Sequence, residues 1–387
     1  MTMPTDATQD LLAQIATFAA KDVAPAAPAW AMGDAPDAAI FAKAAAIGLF
    51  GLETPENLGG SGWGFGPKAQ AAETLAGADF GFAMSVINTQ NVAVRLALSA
   101  PAQVRDRYLP GILAGRITAC TALTEPGTGS DFAAVVTRAR RSTDGWVLDG
   151  EKAWIINGRH AGLAMVFAQC AEGGGAGGIG GFLVDLSAPG VKRHPIDSGF
   201  SQTSIGTGGF VLDGVALPDD HLLLPHGGAF KAIMAEINGA RAYVAAMCCG
   251  MLAAALVDAT AYGAQRRTFG KPLAAHQAWR LKLAQAQTDL AAARALTAQA
   301  GRAIDAGGDA QLLAAQAKIH AISTCQRHVP ILLHAVGAEG LRPVHCFTRH
   351  LAAVQMAALT DGSTDMLLER VARLTGAPTD ETAHSKE

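Results

Sequence analysis

Four short tracts of this 387-residue chain carry residue types that could do chemistry. TALTEPGTGSD, residues 121–131, joins a proline and two glycines to small hydroxyl side chains. Such a stretch exposes backbone N–H donors and lets a flat ligand approach closely, but it is equally well a plain turn. It fails the dinucleotide and P-loop templates, because Phe132 stands where a third glycine is needed and no GK(S/T) follows. GEKAWIING, residues 150–158, follows a strand signal at Trp146–Leu148 and a glycine turn, which puts Trp154 on the next strand, facing either the core or a ring system. RRTFGKP, residues 266–272, reads as a helix end capped by Gly270, with Arg266 and Arg267 at the negative pole of the helix dipole. LTDGST, residues 359–364, sets Asp361 and Ser363 just before a helix over residues 365–373, where either can act as the cap. Arg241 reads as a helix charge, and His334 as an amphipathic-helix residue, since nothing acidic lies four residues away to orient it as an acid or base.

The elements that must position these tracts fall into three stretches. Apolar residues recur at helical spacing from Asp6 to about Ala114, as in Leu11, Leu12, Ile15 and Phe18, with a breaker cluster at Gly59, Gly60, Gly62, Gly64 and Gly66. Short β-type runs follow at Trp146–Leu148, Ala164–Ala168, Phe182–Val184 and Phe210–Leu212, and residues 173–181 read as a glycine-dense loop. From Phe230 long helical segments return, one over about residues 240–265, with breaks near Gly270, Gly307, Gly308, Pro330 and residues 337–340. Pattern alone therefore gives helix, strand, helix.

Bulk properties narrow the function classes. Half the residues are hydrophobic, 16% are charged and the net charge is −3, which suits a helical globular enzyme of two or three domains. Near-neutrality and the acidic tail residues Asp380, Glu381 and Glu387 argue against nucleic-acid and anionic-membrane surfaces, which need clustered Lys and Arg. No apolar run is expected to approach a membrane span, and the N-terminus lacks a secretory signal. The six cysteines show no CxxC pair or zinc spacing, so no metal is expected; buried free thiols in a reducing cytoplasm are.

Taken in chain order with GFAMSVINTQNVA near Ser85 and RRTFGKPLAAHQ over residues 266–277, the same tracts resemble the acyl-CoA dehydrogenase family over nearly the whole chain. The resemblance implies an N-terminal helical domain over 1–118, a middle β domain over 119–226 and a C-terminal four-helix bundle over 227–387. It implies FAD, held by Thr124, Gly129, Ser130, Trp154 and Ile156, with Ser363 and Asp365 near it. Arg266, Thr268, Phe269 and Gln277, and the turn region of His334 and Gly337, match positions that reach a neighbouring subunit's FAD, so a homodimer or homotetramer is expected. Ser130, Asn238, Arg241, Thr360 and Gly362 match acyl-CoA-binding positions. Asp361 matches the general base that removes the α-proton while hydride leaves the β-carbon for the flavin, in the catabolism of fatty or other carboxylic acids. An electron-transfer flavoprotein is the implied electron acceptor.

Several positions depart from the family pattern. Asp361 replaces the usual glutamate and shortens the arm by one C–C bond, about 1.5 Å. The alternative base position of some branches is Ala240 here, which leaves Asp361 as the matching carboxylate. Ile156 replaces a threonine whose hydroxyl lies near the flavin, and it can donate no hydrogen bond. His334 replaces a glutamine; Ala352 and Ala353 replace a frequent Arg-Asp pair; Leu368 replaces a frequent arginine. These changes motivate an alternative expectation, a flavin-dependent monooxygenase or lyase on the same scaffold acting on a CoA- or carrier-protein-bound acid. A binding scaffold without catalysis is the third reading, and colourless purified protein would be its first support.

Overall fold

The computed structural model describes residues 6–171, 174–197 and 203–376; the acidic tail residues lie outside them. The chain forms two compact units, one of residues 1–71 and 78–236 and one of residues 72–77 and 237–387.

The first unit begins with helices α1 (Asp6–Phe18), α2 (Ala24–Ala31), α3 (Ala38–Ala46), α4 (Phe65–Ala78, whose last turns belong to the second unit), α5 (Phe80–Ser99) and α6 (Ala102–Leu113). Side chains supply the starts of α3 and α5: Asp37 accepts the Ile40 N–H at 3.0 Å and Asp79 accepts the Phe82 N–H at 2.8 Å, each satisfying a donor that has no partner inside the helix. Strands β1 (Ala119–Ala122), β2 (Arg138–Ser142), β3 (Gly145–Ile155), β4 (Leu163–Gln169), β5 (Ile179–Asp185), β6 (Val191–Pro195), β7 (Gly208–Pro218) and β8 (Leu222–Leu224) form one mixed sheet. Its order is β6-β7-β3-β2-β4-β5-β8, with β1 joined parallel to β4. Trp146, Leu148, Phe182 and Phe210 lie in its buried core.

Two sequence expectations change here. Trp146–Leu148 and GEKAWIING are not two strands across a turn but the single strand β3, because Gly150 (φ +152) is absorbed as a local irregularity in the pairing with β7. The supposed loop over 173–181 gives up its last residues to β5. Gly180 and Gly181 are strand glycines because a Cβ there would come within 2.7 Å of Cys170 Sγ and 2.6 Å of Met165 Cε. Gly173 itself lies outside the described residues.

The second unit contains α7 (Ala229–Gln265, which begins in the first unit), the two-residue strands β9 (Arg267–Thr268) and β10 (Lys271–Pro272), then α8 (Gln277–Asp305), α9 (Gln311–Val336), α10 (Phe347–Leu359) and α11 (Thr364–Leu374). At 37 residues α7 is, contrary to the expectation of no such run, long and apolar enough to cross a membrane by length and composition; 67% of its most apolar stretch is buried within the protein, the situation of a core helix. Pro330 does not break α9. One missing N–H is tolerated in a helix whose neighbours Val329, Leu332 and Leu333 are buried against other elements.

Gly270 is likewise not a helix cap. α7 stops at Gln265, and Phe269 (φ +49) and Gly270 (φ +78) form the two-residue turn of a β9–β10 hairpin, which needs positive φ at both positions. Five of the six cysteines are buried and all six are free thiols.

Candidate functional site

In the first unit, the strand that carries Trp154 is tied to the glycine-rich loop by a buried ion pair. Lys152, with no side-chain exposure, places Nζ 2.8 Å from Glu125 Oε1 and 3.1 Å from the Leu123 carbonyl. Glu125 in turn accepts the Val136 N–H at 2.7 Å and the Thr137 N–H at 3.0 Å. Burial alone would raise the Glu125 carboxyl; the Lys152 ammonium and these hydrogen bonds outweigh it and hold the group below its ordinary value. Both residues lie inside the tracts singled out from sequence, yet sequence reasoning gave neither a role. Opposite charges in two apolar-flanked motifs were the available signal.

One residue further on, the pairing of β3 with β7 slips between Lys152 and Ile155, and Trp154 takes the left-handed conformation, φ +59. That conformation costs a bulky residue roughly 1–3 kcal/mol and needs support from its surroundings. The support is visible: the Ala153 N–H donates to the Thr124 carbonyl at 3.0 Å, and Asn157, itself at φ +63, donates through Nδ2 to the carbonyls of Ser85 and Ala119, both at 2.9 Å. The slip turns Trp154 outward, 57% exposed, whereas simple alternation would bury it. So the core-aromatic reading of Trp154 is wrong, and the residue just before this exposed indole is hydrogen-bonded to Thr124. Gly127 and Gly129 have open space around them, and Ser130 is exposed. An open backbone loop beside an exposed aromatic plane fits a flat, polar ring system. Ile156, half-buried, offers that ring no donor.

In the second unit, Asp361 sits at φ +54 between Thr360 and Gly362 (φ +101). Three consecutive carbonyls are held by buried cations. Arg241 Nε donates to the Asp361 carbonyl at 3.1 Å, while Lys318 Nζ donates to the carbonyls of Thr360 and of Gly362, the latter at 2.6 Å. Arg241 is 2% exposed and Lys318 fully buried. Arg241 Nη1 also donates to Asn238 Oδ1 at 2.7 Å, so Asn238, Arg241, Thr360, Asp361 and Gly362 form one cluster. Burial pushes the Asp361 carboxyl above its ordinary value, against the opposing pull of Lys318 and Arg241, and its Oδ2 is buried without a hydrogen-bond partner. The half-exposed part of this residue is therefore not its Oδ2. Burial lowers Lys318 to about 8 and Arg241 to about 10.

The cap question before α11 is also decided. Ser363 Oγ accepts the Met366 N–H at 3.3 Å, leaving Asp361 out of helix capping; Asp365 is exposed in the first turn of α11. Lys318 was missed from sequence; its signal was a lone lysine among Ala314, Ala315, Ala317, Ala321 and Ile322, all buried.

The remaining expected positions form two separate groups in this unit. Arg266, Thr268, Phe269 and Gln277 cluster at the hairpin, where His276 Nε2 lies 3.2 Å from both the carbonyl and the hydroxyl of Thr268. Phe269 is 97% exposed at the tip. His334 and Gly337 lie at the C-terminal end of α9, both exposed, with Gly337 at φ +79.

Comparison with known proteins decides the family. Residues 5–116 match the N-terminal, 120–215 the middle and 227–375 the C-terminal domain of acyl-CoA dehydrogenases. The chain belongs to the acyl-CoA dehydrogenase family. This acyl-CoA dehydrogenase-family chain is 30% identical to the mitochondrial short-chain specific acyl-CoA dehydrogenase of Homo sapiens, over 92% of its own length and 87% of the relative's. Among solved structures it resembles butyryl-CoA dehydrogenase from Megasphaera elsdenii at 27% identity and a TM-score of 0.90, covering 97% of this chain and 99% of that one. It also resembles a glutaryl-CoA dehydrogenase from Mycobacterium smegmatis, solved in complex with FADH2, at 26% identity and a TM-score of 0.89, covering 97% and 95%. The helical ends and central sheet are those expected of the family.

Proposed function

We propose that this protein is an FAD-dependent enzyme that introduces an α,β double bond into an acyl-CoA thioester, with Asp361 as the general base. The observation that carries the reading is the Asp361 carboxyl: Oδ2 is buried with no hydrogen-bond partner, on a backbone fixed by two buried cations. A carboxylate engaged in a cap or an ion pair is a poor proton acceptor; one reserved in this way, with burial raising its proton affinity above the ordinary value, suits abstraction of a weakly acidic C–H. FAD, when bound, accepts the hydride that leaves the β-carbon. Thr124, Gly129, Ser130, Trp154 and Ile156 would hold its ring, the loop through open backbone and Trp154 through its exposed face.

Asn238 and Arg241 orient the segment that bears the base, and the burial of Asp361 Oδ2 shields that atom from water. The aspartate arm requires the thioester to approach about 1.5 Å closer than a glutamate would, which favours compact acyl groups over bulky ones at the α-carbon. Arg266 on an exposed hairpin with Phe269 supports FAD contact from a neighbouring copy in a homodimer or homotetramer, since a planar guanidinium meets two phosphate oxygens. An electron-transfer flavoprotein is the proposed acceptor.

The test is anaerobic mixing with butyryl-CoA, isobutyryl-CoA, octanoyl-CoA and 3-phenylpropionyl-CoA. A dehydrogenase bleaches its flavin without added reductant. Asp361→Asn should retain FAD and slow bleaching by roughly 100-fold to 10,000-fold, the usual contribution of a general base. Bleaching at the parent rate in that variant would mean another base. Failure of every thioester to bleach the parent protein would favour the monooxygenase or lyase alternative, for which Ile156 is the motivating departure.

A further inference from the structure

Lys318 is a buried charged residue to which family resemblance gave no role. Resting on the reading of Asp361 as the base, we propose that Lys318 is a positioning residue: its ammonium grips the peptide carbonyls on both sides of Asp361 and so aims the carboxylate while leaving it chemically free.

The argument begins with what a buried ammonium ordinarily does. Beside a buried carboxylate it forms a direct ion pair, which consumes the oxygens that a base needs. Lys318 is fully buried on α9 and its charge acts on Asp361, yet its hydrogen bonds go to the Thr360 and Gly362 carbonyls. The Asp361 carbonyl between them goes to Arg241 Nε at 3.1 Å. Three successive carbonyls pointing at cations force the intervening backbone to coil tightly, which accounts for φ +54 at Asp361 and φ +101 at Gly362. The by-product is an Oδ2 that is buried and unpartnered. A short acidic arm tolerates little error, since a misplacement of about 1 Å costs on the order of 100-fold. A glutamate could compensate by rotating about its extra bond, but Asp361 depends on its backbone.

The charge has a second consequence. Asp361 faces Lys318 from α9 and Arg241 from α7; Cys248 on α7 also acts on Lys318, and Arg370 on α11 acts on Arg241. Without Lys318, burial would raise the Asp361 carboxyl further, so at a given pH fewer molecules would carry a competent base.

Two variants separate the grip from the charge. Lys318→Gln keeps amide N–H donors but no charge; Lys318→Met keeps neither. Flavin bleaching by butyryl-CoA, or whichever of the four thioesters reacts fastest, is followed by anaerobic rapid mixing from pH 6 to 9.5. For Lys318→Gln the apparent pKa of the bleaching rate should rise by about one pH unit, with much of the rate recovered at the alkaline end. For Lys318→Met the alkaline plateau should also fall, by about tenfold or more, with thioester affinity changed less than twofold. Infrared spectra of substrate-free protein labelled at its aspartates read the protonated carboxyl band directly, and in Lys318→Gln this band should persist to higher pH. If Lys318→Met does not fold, Lys318→Gln carries the test by itself. A folded Lys318→Gln with the parent pH profile and carboxyl band overturns the proposal. Asp361→Asn run in parallel separates the two levels: unchanged bleaching there removes the base assignment and this proposal with it, whereas abolished bleaching there with an unmoved Lys318→Gln profile removes only the role of Lys318.

Discussion

Lys152→Met tests the strut between β3 and the glycine-rich loop. The wild-type ion pair is 2.8 Å long with side chains 0% and 2% exposed, so solvent screening does little for either charge. Met conserves the length and most of the volume of lysine while deleting the ammonium. Glu125 then keeps its two backbone donors, from Val136 and Thr137, but remains a buried carboxylate with no countercharge. Breaking a buried pair by removing one partner costs about 3–5 kcal/mol. For a unit of about 230 residues, each kcal/mol moves the melting temperature by about 2–4 °C, so its transition should fall by roughly 6–20 °C. The cycle is completed with Glu125→Gln and the double variant. Because the double variant contains neither buried charge, it should recover at least about 2 kcal/mol relative to Lys152→Met. Urea unfolding of all four proteins, with Trp30, Trp63, Trp146 and Trp154 as the fluorophores of this unit, provides the free energies. A loss below about 1 kcal/mol in Lys152→Met, or additivity around the cycle, would refute the claim that the pair acts as a desolvated unit. The variant should also release FAD more readily, because Thr124 and Ala153 are hydrogen-bonded next to the strut.

Three further outcomes are expected. Arg266→Ala should weaken FAD retention on gel filtration, by about tenfold or more in dissociation constant if a charge-assisted contact worth about 1.5–3 kcal/mol is lost; full retention would contradict a cofactor role. Gly250→Ala in α7 should lower stability by about 1–3 kcal/mol in a thermal scan, since its Cβ would overlap the Glu73 backbone carbonyl, which has no rotamer by which to yield; an unchanged melting temperature would disprove that close packing. The second unit should lose stability as pH rises above 9. Burial lifts the thiols of Cys249 and Cys346 to about 12 and raises those of Cys248 and Cys325 well above their ordinary value, so in this range the folded state keeps protons that unfolded thiols release. Lys318, lowered from 10.5 to about 8, and Arg241, lowered from 12.5 to about 10, act with the opposite sign between those values, because there the unfolded state holds the extra proton. Four thiols outweigh these two cations, each group contributing at most about 1.4 kcal/mol per pH unit. Urea midpoints measured in reductant from pH 8 to 10.5 should therefore fall, and a flat or rising profile would contradict the burial of these thiols.

The sequence by itself determined the succession of helix, strand and helix, because hydrophobic period is a local property that each element carries in its own residues. Its motif strings also placed Thr124, Trp154, Arg266 and Asp361 in a family. It did not determine how those side chains are aimed. Whether Trp154 faces the core could not be decided without the β3–β7 slip, which depends on a strand more than fifty residues away. Gly270 read as a helix cap until the hairpin pairing with Arg267–Thr268 was present, and Pro330 read as a break until packing around α9 was. Ser363 and Asp361 were interchangeable as caps until one hydrogen bond chose Ser363. The partners of Asp361 were least legible of all: Lys318 lies 43 positions earlier and Arg241 120 positions earlier in the chain, on two different helices. Charge–backbone contacts of that span leave no periodic trace, and only folding the helices together brings them to one acidic side chain.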